Sequence, residues 1–224
     1  MKTVLVAAAS QGLGKAIAEA FMANGDKVYV CSRHTQPSCD LTEPAQIDQF
    51  LTTIGPVDVL VTNAGGPKSG SFDDISDADW QNAFELTFLS AVRLIRGVLP
   101  AMQKNSWGRI ICLTSTSVKQ PIQHLIASNA LRAAVTNLAK SLANEVGKDG
   151  ITVNVVAPGM FETERLRQLY PTPPDRDRVK AMIPAQRFGD VSELAATVVF
   201  LASDQAGYIN GVLLPVYGGL TKAI

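Results

Sequence analysis

Short runs rich in Val, Ile and Leu alternate with longer stretches of helical periodicity along this chain, and that alternation limits the folds open to it. Residues 3–8 read as a strand and 12–24 as a helix with Ile17, Ala20 and Phe21 on one face. Residues 27–32 and 57–62 read as strands. The latter is apolar except for Asp58 and Thr62, the pattern of a strand covered on both faces. A long helix is predicted within 78–104, a strand over 109–114, a second long helix over 124–147 and a strand over 152–157, ended by Pro158-Gly159. Residues 192–201 and 212–216 supply a last helix and strand. Strands separated by helices predict a parallel sheet built from right-handed crossovers. Between the second strand and Asp40 only 33–39 intervene, where a further helix and strand would ordinarily fit, so one sheet edge is expected to be trimmed.

The bulk numbers agree with a well-buried globular chain expected to form one domain over 1–224: 46% of its 224 residues are hydrophobic and 18% charged. Lys plus Arg balance Asp plus Glu at 20 each, so no strong field steers the protein onto nucleic acid or an anionic membrane. Cys31, Cys39 and Cys112 are an odd, scattered set without a C-x-x-C pair, and His34 and His124 lie far apart. Neither a disulfide framework nor a metal site is expected, and a reducing, cytoplasmic compartment is. The apolar run from Val4 to Ala9 is too short for a signal peptide and leads directly into a helix start.

Chemistry first enters at the turn Ala7-Ala8-Ala9-Ser10-Gln11-Gly12-Leu13-Gly14. A strand that hands over to a helix N-terminus presents unpaired N–H groups and a positive dipole end to phosphates, and glycines let backbone approach closely. Further landmarks follow: Asn63-Ala64-Gly65, then Gly108-Arg109-Ile110-Ile111 with Thr114-Ser115, then Asn154 through Pro158-Gly159 with Thr163, and Arg187-Phe188-Gly189 and Gly218-Gly219. In that order they resemble the short-chain dehydrogenase/reductase family, in particular its 3-oxoacyl-ACP reductase-like proteins. The resemblance implies an α/β fold: a Rossmann-type doubly wound parallel sheet in three α/β/α layers.

It also implies a nicotinamide cofactor held by Ala8, Ser10, Gln11, Gly12, Leu13 and Gly14, by Asn63, Ala64 and Gly65, and by Pro158, Gly159 and Thr163. Asp40 matches the family's Asp beside the adenine, and Leu41 is expected to pack on the ring. Cys31-Ser32-Arg33 at the end of the second strand offers a guanidinium and no carboxylate, so NADP(H) is preferred over NAD(H). One departure touches this site. The family pattern T-G-x-x-x-G-x-G places Thr and Gly where Ala7 and Ala8 stand, and a Cβ at residue 8 is tolerable there only at negative φ.

The larger departure is catalytic. Family enzymes use a Tyr as acid/base, a Lys four residues later, a Ser that holds the substrate oxygen and an Asn on the preceding long helix. Counting from Ser115 puts Ser128 at the Tyr position and Arg132 at the Lys position, and Thr87 stands for the Asn. An aliphatic hydroxyl is a far weaker acid than a phenol, and a guanidinium binds anions without relaying a proton. Lys119, His124 and Tyr170 are candidate substitute acids. Two functions therefore remain open: an NADP(H)-dependent oxidoreductase of carbonyl or alcohol substrates with a non-standard centre, or a non-redox protein on the same scaffold. The latter would be a ligand- or cofactor-binding pseudoenzyme, or a lyase or isomerase of an anionic substrate. Arg165, Arg167, Arg176 and Arg178 in the segment 160–183 hint at such a substrate. A homo-oligomer, tetramer or dimer, is expected from the family and from two long helices with surplus apolar faces.

Overall fold

A computed structural model describes residues 1–223 of the chain. β1 (Thr3–Ala7), α1 (Gly12–Ala23), β2 (Lys27–Cys31), α2 (Pro44–Ile54) and β3 (Val59–Thr62) form the first half. α3 (Asp77–Phe84) passes through a π-helical turn, Glu85–Leu89, into α4 (Ser90–Lys104). β4 (Gly108–Leu113), α5 (Ile126–Val146), β5 (Ile151–Pro158), the short helices α6 (Glu164–Leu169) and α7 (Pro173–Ala181), then α8 (Val191–Leu201) and β6 (Leu213–Val216) complete it.

All six strands are parallel in the order β2-β1-β3-β4-β5-β6. The chain reverses direction across the sheet between β1 and β3, which opens a crevice at their carboxyl ends. β2 is the edge, so the short 33–39 segment does trim the sheet. The predicted strands and long helices are all present within two residues or so at each end, while α2, α6 and α7 are additional.

Side-chain alternation explains the three layers. Leu5, Leu60, Ile110, Cys112, Val153 and Val155 face one side and join a core with Ile47 and Phe50 of α2, Leu94 and Val98 of α4, and Val135 and Ala139 of α5. Their neighbours Val4, Val6, Val59, Val61, Ile111 and Val156 face the other side and pack on Ile17 and Phe21 of α1 and on Leu194 and Val198 of α8. Helix starts are chemically marked. Ser76 with Asp79, and Asp190 with Glu193, form capping boxes at α3 and α8, and Thr163 and Thr172 cap α6 and α7. Among the described residues no helix is long and apolar enough to cross a membrane.

Candidate active site

The first wall of the crevice is the β1–α1 turn. α1 begins without a side-chain cap on Gln11, so its first N–H groups face the crevice unspent. Gln11 and Gly12 are exposed, while Ser10 and Leu13 are partly buried, Leu13 against the α1/α8 side of the core. Gly14 acts through packing, since a Cβ there would fall 2.8 Å from Ala8 O and Ala9 Cα and 2.9 Å from Asn63 Nδ2. Only a glycine lets α1 sit this close to β1, and Asn63 Nδ2 then donates to Ala8 O at 3.2 Å. Ala8 corrects the sequence expectation. Its φ is +47°, in the left-handed region, so the turn keeps a glycine's backbone with an alanine in it.

Across the crevice, Pro158-Gly159 leaves β5 with Gly159 N–H bonded to Val216 O at 2.9 Å. Thr163 Cγ2 lies 3.9 Å from the Cβ position of Gly12, so the segment after β5 folds over the start of α1. The free N–H groups at the uncapped start of α1 suit a dinucleotide's diphosphate, and Ala8 is the one residue of the turn that fits it poorly. Beyond the end of β2 Arg33 is exposed, with Nη1 3.8 Å from Asp40 Oδ2. Burial pushes the Asp40 carboxyl up, but bonds from Thr42 N–H at 2.9 Å and Thr42 Oγ1 at 2.8 Å, aided by Arg33, leave it below the usual carboxylate range. Leu41 does not stand free for a ring. It is buried in the core on the α2 side of the sheet.

This end also holds a pair the sequence did not reveal. Cys31 and Cys39 are both fully buried in that same core, brought together when Cys39 N–H bonds Ser32 O at 3.0 Å. A hydrogen bond between the two sulfurs, with burial, holds the Cys31 thiol far above its ordinary range. The spacing of eight residues carries no signature; only the short loop between β2 and Asp40 makes them neighbours.

Around Arg132, α5 meets the ends of β3 and β4. From α5 its Nε donates to Ser128 Oγ at 3.1 Å, one helical turn back. Nη1 donates to Thr114 O at 2.9 Å and Leu113 O at 3.4 Å, and Nη2 to Ala64 O at 3.5 Å. The guanidinium thus ties the ends of β3 and β4 together, at the carbonyl of the residue that precedes Ser115. Ser115 Oγ accepts from Ser117 N–H at 3.1 Å, which leaves its own O–H free to donate. Ser128 is in the same state, accepting from Arg132. Thr87 sits in the π-helical turn, buried, and lines a small cavity behind Arg132 with Thr62, Asn63, Thr114 and Val135. The Thr87 and Thr114 hydroxyls facing this space have no hydrogen-bond partner.

Arg132 is less permanently charged than its residue type suggested. Burial, and then the charge of Arg165, push its guanidinium down to about 10. Arg165 reaches in from α6. A Cβ on Gly66 would meet its Nη1 and Nη2 at 2.6 Å, so the guanidinium lies flat on that glycine beside the Asn63-Ala64-Gly65 segment. Gly66 carries no signal in the sequence, because its role depends on a side chain 99 positions away in the chain. Of the proposed substitute acids, Tyr170 packs in a lid core with Leu166, Val179, Ile183 and Phe188. His124 is exposed at φ +57°, its carbonyl accepting from Gly70 N–H at 2.7 Å. Lys119 closes the turn after Ser115 through its backbone, N–H to Thr116 O at 3.0 Å.

Known proteins reproduce both the fold and the order of these segments. The family described as enoyl-(acyl carrier protein) reductase matches residues 7–221. The 3-oxoacyl-[acyl-carrier-protein] reductase FabG of Salmonella typhimurium is 37% identical across 98% of this chain and 97% of its own length. The 3-oxoacyl-[acyl-carrier-protein] reductase MabA of Mycobacterium tuberculosis is 34% identical across 98% and 92%. Among solved structures, an actinorhodin polyketide ketoreductase with NADPH superposes with a TM-score of 0.92 at 30% identity, over 99% of this chain and 97% of that one. L-sorbose reductase of Gluconobacter frateurii, solved with NADPH and L-sorbose, gives 0.92 at 29% over 100% and 97%. The chain belongs to the short-chain dehydrogenase/reductase family.

Proposed function

We propose that this protein is an NADP(H)-dependent oxidoreductase of carbonyl or alcohol substrates whose acid–base centre is built from Ser115, Ser128 and Arg132. One observation carries the reading: Arg132 gathers the ends of β3 and β4 while leaving two hydroxyl protons, on Ser115 and Ser128, free to donate beside it. The uncapped α1 N-terminus would receive the diphosphate, Thr163 would close over it, and Arg33 would meet a 2′-phosphate. When bound, the reduced nicotinamide supplies the hydride for a carbonyl carbon. The protein's part is then at the oxygen. Ser115 Oγ–H and Ser128 Oγ–H hold it, and Arg132 offsets the negative charge that develops there. At neutral pH the guanidinium keeps its proton, so the proton of the new hydroxyl passes from solvent through Ser128 Oγ, not from Arg132.

FabG and MabA, whose names state 3-oxoacyl-[acyl-carrier-protein] reduction, and the NADPH-bound ketoreductase and sorbose reductase support a reductive direction. A homo-oligomer fits the family and the exposed apolar side chains Phe84 and Phe200. Calorimetric titration with NADPH and NADH tests the cofactor: saturable binding is expected, with NADPH about tenfold tighter and the preference erased in Arg33→Ala. The acid–base assignment is tested by the pH profile. No phenol titrates in the reaction, so kcat is expected to stay flat from about pH 6 to pH 9. It should then fall near pH 10, where Arg132 loses the charge that stabilises the oxyanion. The left-handed Ala8 favours a second reading, a non-redox ligand-binding protein. Absence of any saturable NADPH or NADH binding would select it.

A further inference from the structure

Charges in the lid are distributed unevenly. Arg167 pairs with Glu162 at 3.2 Å and Glu164 at 3.5 Å, Arg176 with Glu162 at 2.6 Å, and Arg178 with Asp175 at 3.5 Å. Arg165, on the same short helix as Arg167, has no carboxylate partner among the described residues, and neither has Arg132. Arg132 is fixed by Ser128 and by the carbonyls of Leu113, Thr114 and Ala64. Arg165 is laid against Gly66, two residues past Ala64, at a contact only a glycine permits. The two guanidinium groups therefore converge across the end of β3. Two like charges held together without an acid disfavour each other and favour an anion between them.

We propose that Arg132 and Arg165 form a carboxylate-binding subsite, and that the substrate is a small oxo or hydroxy acid whose carboxylate lies between them and whose reacting oxygen faces Ser115 and Ser128. The position within the crevice separates this subsite from the diphosphate floor. Thr163 meets the start of α1 at Gly12, whereas Arg165, further along, meets Gly66 on the Arg132 side. The planar fork of Arg165 suits a carboxylate's paired oxygens, while Arg132, with one Nη2 hydrogen left beyond its bonds to Ser128, Leu113, Thr114 and Ala64, adds its charge and a single donor. The redox part of the proposal rests on the oxidoreductase reading; the carboxylate subsite does not.

Malonate, which needs no turnover, is the probe. Calorimetric titration should show saturable malonate binding to the wild-type protein, weakened about tenfold or more in Arg165→Gln and less in Arg165→Lys. Arg167→Gln, a change to a paired arginine of the same helix, should bind like wild type, and dimethyl malonate should not compete. NADPH affinity should be unchanged in Arg165→Gln, whose thermal melting reports that it folds. Malonate binding that is absent, or equal in wild type and Arg165→Gln, overturns the subsite. So does a parallel loss of NADPH affinity with displacement of malonate by inorganic pyrophosphate, which would assign Arg165 to the cofactor's diphosphate. Malonate binding without any NADPH binding would keep the subsite and reject the oxidoreductase reading alone.

Discussion

The two ends of the crevice have departed from the family pattern in opposite ways. At the β1–α1 turn the backbone is retained and the residue is wrong for it: Ala8 sits at φ +47°, where a Cβ crowds its neighbouring carbonyl. At the α5 end Ser128 and Arg132 stand at the positions of the family's Tyr and Lys, and the arginine finds partners on the elements around it. Arg132 bonds one hydroxyl and three carbonyls, more anchors than a lysine's ammonium holds in one plane. The first site is strained at Ala8; at the second Arg132 is bonded through all three of its nitrogens, although the Thr87 and Thr114 hydroxyls beside it stay unpaired. Two of the arginine's four partners, Thr114 O at 2.9 Å and Ser128 Oγ at 3.1 Å, are at ordinary hydrogen-bond length. On the function proposed above, the contrast sets the chemistry at Arg132 and the cofactor's footing at the turn.

Removing Arg132 tests that contrast most severely. Arg132→Ala should lower kcat/KM by about 10²- to 10³-fold, the cost typical of deleting a preorganised charge at a developing oxyanion. Arg132→Lys should recover only part of it, since a point charge cannot reach Thr114 O, Ala64 O and Ser128 Oγ together. Steady-state kinetics beside a thermal melt separates the two causes. Loss of activity with a folded protein supports the assignment, and equal activity in the alanine variant removes Arg132 from the chemistry.

Next in size is a change at the turn that leaves the chemistry alone. Gly14→Ala would place a methyl 2.8 Å from Ala8 O and Ala9 Cα, backbone atoms that cannot swing aside. The helix must retreat from β1, and stability should fall by about 1–3 kcal/mol, as overpacking does. Chemical denaturation checks it. An unchanged midpoint would mean the turn is looser than its contacts, and the strain at Ala8 would lose its cause.

What the sequence makes legible follows the range of each interaction. The strands and long helices are legible because alternation and 3.6-residue periodicity are local, and the trimmed edge because a missing helix and strand is a matter of length. Ser115, Ser128 and Arg132 can be placed by counting, since β4 and α5 have few registers open to them. What counting cannot supply is the partner list of Arg132, which draws on Ala64, Leu113 and Thr114 from two other strands' ends. The lid arginines look equivalent in the sequence. Only the fold shows that Glu162, Glu164 and Asp175 neutralise three of them and leave Arg165 to face Gly66. Cys31 and Cys39, eight residues apart, become neighbours for a similar reason. The sign of φ at Ala8 cannot be read from residue identity, because the β1 exit and the α1 start impose that dihedral together.

That imposed dihedral gives the smallest predicted effect and the sharpest one for the comparison. Ala8 N–H bonds Cys31 O at 2.8 Å and Ala8 O accepts from Asn63 Nδ2 at 3.2 Å, so both sides of the peptide are pinned and φ cannot relax. The Cβ then costs about 1 kcal/mol relative to glycine, part of which glycine returns through the greater freedom of its unfolded chain. Ala8→Gly should accordingly change stability by less than about 1 kcal/mol, in the stabilising direction, while clearing space at the diphosphate floor. NADPH affinity should rise by a few-fold, about the same energy seen in binding. Calorimetry on the single variant reads both the melting point and the affinity. If the glycine lowers stability and leaves NADPH binding untouched, the alanine is a fitted residue, and the turn is no longer the strained end of the comparison.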